Sequence, residues 1–342
     1  MESIKILHTA DIHLKDKNAD ASAKAFARII SLAKEERPDV VLIAGDLFDS
    51  GFESKSEKNY MVSLLAEISD IPVFIVAGNH DSLPCYRDIT LPPNAHLFGP
   101  EMEKVSVGCA DVYGISMTGN YCRQSLIEGF RAEDDNRINI LLLHGDIDAN
   151  SAYNPFTSSE LAASGVDYAA LGHVHTTRGL CRVSNTYYAY SGVPQGRGFD
   201  ELGIKGVWIG SVSKGHADLK QYPTCEYVYE EKAVDISDCD DYGAVVERIR
   251  ERTTPGNCTK IYLTGSFAGG FVINTERVAN LLEDYRLVKI YDETGEKPDL
   301  EQLKNEQSLR GFFVRALADD EQGKEAIKLG LAALDGKDIN VL

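Results

Sequence analysis

The sequence has little base to set against its acid: 35 lysines and arginines face 53 aspartates and glutamates, a formal net charge of −18 over 342 residues. That balance excludes long-range attraction to nucleic acid or to an anionic membrane, so a polyanionic ligand has to be captured locally. No acidic tail accounts for the excess, which runs along the whole chain. No C-x-x-C pair occurs among Cys85, Cys109, Cys122, Cys181, Cys225, Cys239 and Cys258, and seven is an odd number. A disulfide framework and a zinc ribbon are both disfavoured, and the thiols read as reduced. The opening MESIKILHTADIHL lacks a basic segment followed by an apolar one and a cleavage site, and no window approaches 18 uncharged apolar residues. The expectation is a soluble, cytoplasmic protein with no membrane association. Internal repeats and linkers rich in Pro, Gly or Ser are also missing.

What is present is ordinary globular material, 43% hydrophobic and 26% charged, long enough for two domains or one large one with an appendage. Residues 4–7 and 39–44 (DVVLIA) are short apolar runs. Between them Ala23, Phe26, Ile30 and Ala33 recur at helical spacing, which predicts a βαβ unit. Residues 56–68 read as helix, and 72–77 (PVFIVA), 138–143 (INILLL) and 168–171 as further strands. Near-continuous apolar strands predict sheets buried on both faces, as in layered α/β folds. Residues 181–222 read as antiparallel strands. Beyond them the pattern changes to short strands (226–234, 259–264, 286–291) alternating with helices (241–252, 275–284). The expected domains are 1–225, a small α/β domain at 226–307 and a helical segment at 308–342. In that last segment Ala326, Ile327, Leu331 and Leu334 form an apolar face, covered by its own domain, by a second copy or by another subunit.

The polar residues fall at strand ends. Asp11, Asp46, Asn79, His144 and His173 each stand just beyond a predicted strand, where open α/β sheets place ligands. Taken singly each has an ordinary explanation as a helix cap or turn residue. As a set, D-x-H, G-D, G-N-H-D, H and G-H-x-H exceed what turn chemistry produces. Two divalent cations about 3.5–4 Å apart need a bridging carboxylate together with imidazole, carboxylate and amide oxygen ligands, and these blocks supply that inventory.

The five blocks resemble the motif of the calcineurin-like metallophosphoesterase superfamily. The resemblance implies an α/β four-layer sandwich, two mixed β-sheets flanked by helices, with a small α/β capping domain. It implies one metal on Asp11, His13, Asp46 and His175 and a second on Asp46, Asn79, His144 and His173, with Mn preferred and Asp46 bridging. His80 is left to act on substrate, with Asp81 as its sequence neighbour orienting the ring. The opening ILHTADIHL and residues 191–210 (SGVPQGRGFDELGIKGVWIG) are similar to bacterial DNA repair exonuclease subunits of the SbcD and YhaO type, and residues 263–303 to their small capping domain. Lys15 stands where that family commonly has Gly.

This branch implies a metal-dependent DNA nuclease, exonuclease and single-strand endonuclease, active in DNA repair and recombination. It further implies a homodimer and a coiled-coil SMC-like ATPase partner. Lys15, Lys17 and Arg197 are candidates to neutralise phosphates beside the metals. Two other readings stand beside this one: a phosphoesterase for a small nucleotide or other phosphorylated molecule, which suits the acidic charge, and a non-catalytic subunit that binds DNA or a partner.

Overall fold

Each apolar run becomes a strand with no exposed face. In β2 (Val40–Ala44) and β7 (Ile138–His144) every residue is buried. The structure, a computed structural model, describes residues 2–15, 21–49, 54–267, 273–296, 300–317 and 323–334; Lys17 lies outside the described residues. The chain divides into two compact units, Met1–Glu230 and Glu231–Leu342.

The first unit opens with β1 (Ser3–Thr9), α1 (Ala21–Glu36), β2, α2 (Lys55–Ala66), β3 (Val73–Val76), β4 (Ala95–Leu97), β5 (Glu103–Val107), β6 (Ala110–Gly114) and β7. It continues with β8 (Asp146–Ile147), β9 (Pro155–Phe156), α3 (Ser158–Ala163), β10 (Tyr168–Gly172), β11 (Cys181–Val183), β12 (Thr186–Tyr190), β13 (Gly206–Ser213) and β14 (His216–Pro223). Two six-stranded sheets result, ordered β14-β13-β1-β2-β3-β4 and β11-β12-β10-β7-β6-β5. Both are mixed: β1 to β4 run parallel with β13 and β14 antiparallel beside them, and β12, β10, β7 and β6 run parallel between antiparallel edges.

Alternation along the strands divides the core into layers. Val40, Leu42 and Ala44 share one cluster with Ile138, Ile140, Leu142, Tyr168 and Ala170, between the two sheets. Val41 and Ile43 join Phe26, Ile29 and Ile30 of α1 and Met61, Leu64 and Leu65 of α2 on the outer face. Leu141, Leu143, Ala169 and Leu171 pack with Leu161 of α3 on the other side. This is the four-layer α/β sandwich expected. Each large side chain so buried contributes about 1.5–3 kcal/mol. His8 sits within the inter-sheet layer, fully buried, Nδ1 2.8 Å from the Tyr168 hydroxyl and Nε2 3.2 Å from the Leu171 carbonyl.

The second unit holds β15 (Tyr229–Asp235), α4 (Tyr242–Arg252), β16 (Cys258–Thr264), β17 (Ser266–Phe267), α5 (Thr275–Asn280), β18 (Leu287–Asp292), β19 (Gly295–Glu296), α6 (Leu300–Asn305), α7 (Leu309–Leu317) and α8 (Gly323–Leu334). β15-β16-β18 form its sheet, and Val234, Val245, Ile249, Ile261 and Leu263 its core. Of the apolar face read at the C-terminus, Ile327 and Leu331 are buried with Leu303 and Val314, while Ala326 and Leu334 are exposed. All seven cysteines are free thiols. Among the described residues no helix is long and apolar enough to cross a membrane.

Candidate metal centre

Five strands end at one place. Asp11 and His13 follow β1, Asp46 and Asp49 follow β2, and Asn79, His80 and Asp81 follow β3, three neighbours in one sheet. His144 ends β7 and His173 and His175 follow β10, neighbours in the other, with His144 in register with Gly172. The loops are tied to one another: Asp11 N donates to Gly45 O and His13 N to Asp46 O, both at 3.0 Å, and Gly145 N donates to Gly172 O at 3.2 Å. Across the sheets, His173 N lies 3.1 Å from both carboxylate oxygens of Asp11.

Such tight loops need unusual backbone. Asp11, His13 and Asp46 have φ near +50° and His173 has φ +101°. Asp, Asn and His tolerate left-handed conformations better than most residues, and conformations of this kind cluster at functional sites. Two glycines allow the loops to close. A Cβ on Gly45 (φ +89°) would stand 2.4 Å from His144 Nδ1, and one on Gly78 would stand 2.2 Å from Asp46 Oδ1.

Asp46 lies in the middle. Its Oδ2 is 3.5 Å from His144 Nε2 and 3.9 Å from His13 Nε2, while its Oδ1 accepts the His80 backbone N–H at 2.8 Å. To one side, His13 Nε2 and His175 Nε2 are 3.2 Å apart, and Asp11 offers an oxygen within 4.8 Å of both rings. To the other, Asn79 Oδ1 is 2.9 Å from His144 Nε2 and 3.0 Å from His173 Nδ1. All seven residues read as metal ligands from the sequence therefore meet in one place.

The second nitrogen of each ring faces an oxygen: His144 Nδ1 the Ala44 carbonyl (2.8 Å), His175 Nδ1 Glu201 (2.8 Å), His173 Nε2 Asp146 (3.3 Å) and His13 Nδ1 Asp49 (3.5 Å). The hydrogen-bonded partners of His144 and His175 are of the kind that orients a metal-ligating imidazole and fixes which nitrogen carries the proton, leaving the inward nitrogen of these two rings with its lone pair. Burial lowers His13 to about 4, and burial together with His144 lowers His173 to about 4, so both rings are neutral near pH 7. Burial and the Asp46 charge push Asp11 well above the ordinary carboxylate range, while His144 and His13 hold Asp46 below it against the effect of burial. Two buried carboxylates side by side, ringed by inward lone pairs, form a donor set that cations satisfy, and its mixed nitrogen and oxygen character suits divalent transition metals.

Asp81 differs from expectation. Its carboxylate accepts the N–H groups of Asp46, Leu47, Phe48 and Gly78 and the Tyr86 hydroxyl, at 2.6–3.2 Å. Burial and Asp46 push its carboxyl up to about 7, a shift those donors oppose. The carboxylate beside the His80 ring is Asp49, Oδ1 3.1 Å from Nδ1. Residues 79–81 form a bend in which Asp81 meets the loop amides while His80 meets Asp49, so adjacency in sequence gave Asp81 no claim on the ring. Asp49 was legible only as the second acid of G-D-x-x-D, a spacing that a plain turn also explains; Glu201 and Asp146 carried no signal.

The candidate phosphate contacts are engaged. Lys15 Nζ is 2.9 Å from Asp49 Oδ2. Arg197 Nη2 lies 3.0 Å from Glu201 Oε1 and 3.0 Å from His175 Nδ1, and its backbone N–H donates to Glu201 Oε2. Burial would raise Glu201, but the hydrogen bonds from His175 and Arg197 bring it down to about 2.

The profile of the calcineurin-like phosphoesterase family matches residues 4–177, about half of the chain. The chain is 27% identical over 299 residues to the uncharacterized metallophosphoesterase YhaO of Bacillus subtilis, covering 78% of this chain and 73% of that protein. It is 30% identical over 234 residues to the DNA double-strand break repair protein Mre11 of Aeropyrum pernix (59% and 56%). It is 25% identical over 251 residues to a subunit of the nuclease SbcCD of Staphylococcus epidermidis (59% and 66%). The matched region thus spans between about half and three quarters of the length of these relatives.

Proposed function

The chain belongs to the calcineurin-like phosphoesterase family, and from that membership we propose that it is a metal-dependent DNA nuclease hydrolysing phosphodiester bonds in DNA repair. The observation that carries the reading is a complete candidate binuclear donor set with a further histidine at its edge: His80, half-exposed, its ring near enough to His13 and Asp46 to share a cation with them and its Nδ1 3.1 Å from Asp49; we assign it to the proton and not to a metal. DNA as substrate draws its support from relatives named as a break repair protein and a nuclease subunit.

Asp11, His13, Asp46 and His175 would hold one cation and Asp46, Asn79, His144 and His173 the other, Mn²⁺ being our choice for both. Cations held there supply Lewis acidity to a phosphoryl oxygen and make water a competent nucleophile near neutral pH. His80 stands toward solvent, where it can give a proton to the leaving oxygen. Asp49, kept well below the ordinary carboxylate range by His13 and Lys15, stays anionic and orients the His80 ring through Nδ1. The metal-centre side chains thus hold and orient, and the His80–Asp49 pair manages the proton.

The second unit has no histidine, and we assign it the selection of substrate by shape. We also propose a partner subunit, since one relative is named as a subunit of a nuclease; homodimerisation and a coiled-coil ATPase as that partner rest on the resemblance read from the sequence. The net charge of −18 favours a second reading, a phosphoesterase for small nucleotides. Incubation of the purified chain with Mn²⁺ and end-labelled single- and double-stranded DNA, beside a panel of mononucleotides, separates the two. Degradation of DNA supports the first; turnover of mononucleotides alone overturns it.

A further inference from the structure

His173 is the inner member of a row of rings. Tyr153 lies against it, centroids 5.0 Å apart and planes at 37°, and Tyr121 stacks on Tyr153 at 5.6 Å and 30°. Tyr121 is 69% exposed. The row therefore leads from the candidate metal centre to water.

The segments that carry the two tyrosines are tied together. Cys122 N donates to Ala152 O at 2.8 Å and Asn154 N to Cys122 O at 2.6 Å, so their chain segments are clamped backbone to backbone. Asn154, itself buried, donates from Nδ2 to the His144 carbonyl at 2.8 Å and accepts the Leu126 N–H at 2.8 Å. One side chain thus ties the tyrosine clamp to the loop carrying a candidate ligand. Packing against His173 accounts for Tyr153. It does not account for Tyr121, whose large ring stands mostly in solvent with its stacking partner behind it.

We propose that Tyr121 and Tyr153 form a stacking platform for an unpaired nucleobase next to the phosphodiester held at the metal centre. Aromatic side chains bind single-stranded nucleic acid because every base has a π face, whereas a base inside a duplex has no free face to offer. The ligand is therefore a single-stranded or frayed DNA end. A stacked base also gives an acidic protein a hold on a polyanion that needs no positive charge, in a site where Lys15 and Arg197 are already engaged by acids. The proposal rests on the DNA nuclease reading for its ligand.

Two measurements test it separately from that reading. A single-stranded oligonucleotide carrying 2-aminopurine near its end is titrated into the full chain with Ca²⁺ in place of Mn²⁺, and cleavage of a normal end is compared with that of an abasic end in Mn²⁺. The native chain should quench the fluorophore on binding. Tyr121→Ala should lose the quench and bind roughly 5- to 150-fold more weakly, the scale of one lost stack, while Tyr121→Phe keeps both. The preference for base-bearing over abasic ends should collapse toward one in Tyr121→Ala. Unchanged quenching and an unchanged preference in Tyr121→Ala overturn the platform while leaving the nuclease reading intact. Quenching that depends on Tyr121, without cleavage in Mn²⁺, supports the platform and overturns the nuclease reading. Failure of the native chain to bind the oligonucleotide overturns the platform.

Discussion

His80 and Asp49 face each other at 3.1 Å, Nδ1 to Oδ1, at the margin of a cluster in which the other strand-end histidines turn a nitrogen inward. A ring that gives its Nδ1 proton to Asp49 is left with Nε2 for the substrate, and Nε2 carries a proton for the leaving oxygen when the ring is doubly protonated. His80→Ala should lower the rate by roughly 10²–10⁴, the range of general acid catalysis, with both metals still bound. Asp49→Asn should lower it less. Both losses should shrink for a diester with p-nitrophenolate as leaving group, which needs little protonation. Equal losses on good and poor leaving groups would argue against proton donation.

Asp46 stands between two sets of ligands, so Asp46→Ala should abolish activity. Elemental analysis of the native chain should give two ions per chain, and Asp46→Asn should retain fewer. Full turnover with one tightly bound ion would contradict the binuclear arrangement.

Glu201 lies outside the residues matched by the family profile yet bonds His175 Nδ1 at 2.8 Å. Loss of such an outer partner commonly weakens metal binding 10- to 100-fold. Metal titration of Glu201→Gln should show that loss, recovered in activity at high Mn²⁺. An unchanged affinity would make Glu201 a partner of Arg197 alone.

Asp81 receives four backbone N–H groups and a tyrosine hydroxyl, so Asp81→Asn sets an amide donor among donors. The variant should lose about 2–4 kcal/mol in urea unfolding. A variant of native stability that lost rate as His80→Ala does would restore Asp81 to the side of the ring.

Burial lowers His8 to about 3 from an ordinary 6.5, so the folded state prefers the neutral ring. Its contribution is present above pH 6.5 and is lost as pH falls from 6.5 toward 3, about 2 kcal/mol of it between pH 7 and pH 5. Glutamine can accept from Tyr168 and donate to Leu171 without titrating. Unfolding of native chain and His8→Gln at both pH values, with metal held saturating, should show a smaller acid loss in the variant. Parallel loss in both would clear His8 of the effect.

The sandwich was legible because its central strands are buried on both faces and read as unbroken apolar runs. The stretch Ala95–Gly114 was not: β5 alternates Glu103, Lys104, Val105, Ser106 and Val107, and β6 carries an acid, Asp111. That acid is buried because Arg137 Nε and Ser106 reach it at 2.8 and 2.7 Å, a pairing no local pattern discloses. At the site, the ligands could be read because each stands at the end of a strand. The partners that orient them could not, since Glu201 arrives from 26 residues beyond His175 and Asp49 from 31 before His80.

The left-handed backbone at Asp11, His13, Asp46 and His173 makes each of these positions answer to two demands at once, one from the ion and one from the turn. Alanine there removes a ligand and also strains a peptide that only a few residue types accept, so a scan by alanine would confuse lost coordination with a collapsed loop. Asparagine at Asp11 and Asp46 separates them, keeping the turn while discarding the charge. The same double demand narrows the variation open to these loops: a descendant that changes metal must draw its new ligands from Asp, Asn and His, or rebuild the turn along with the site.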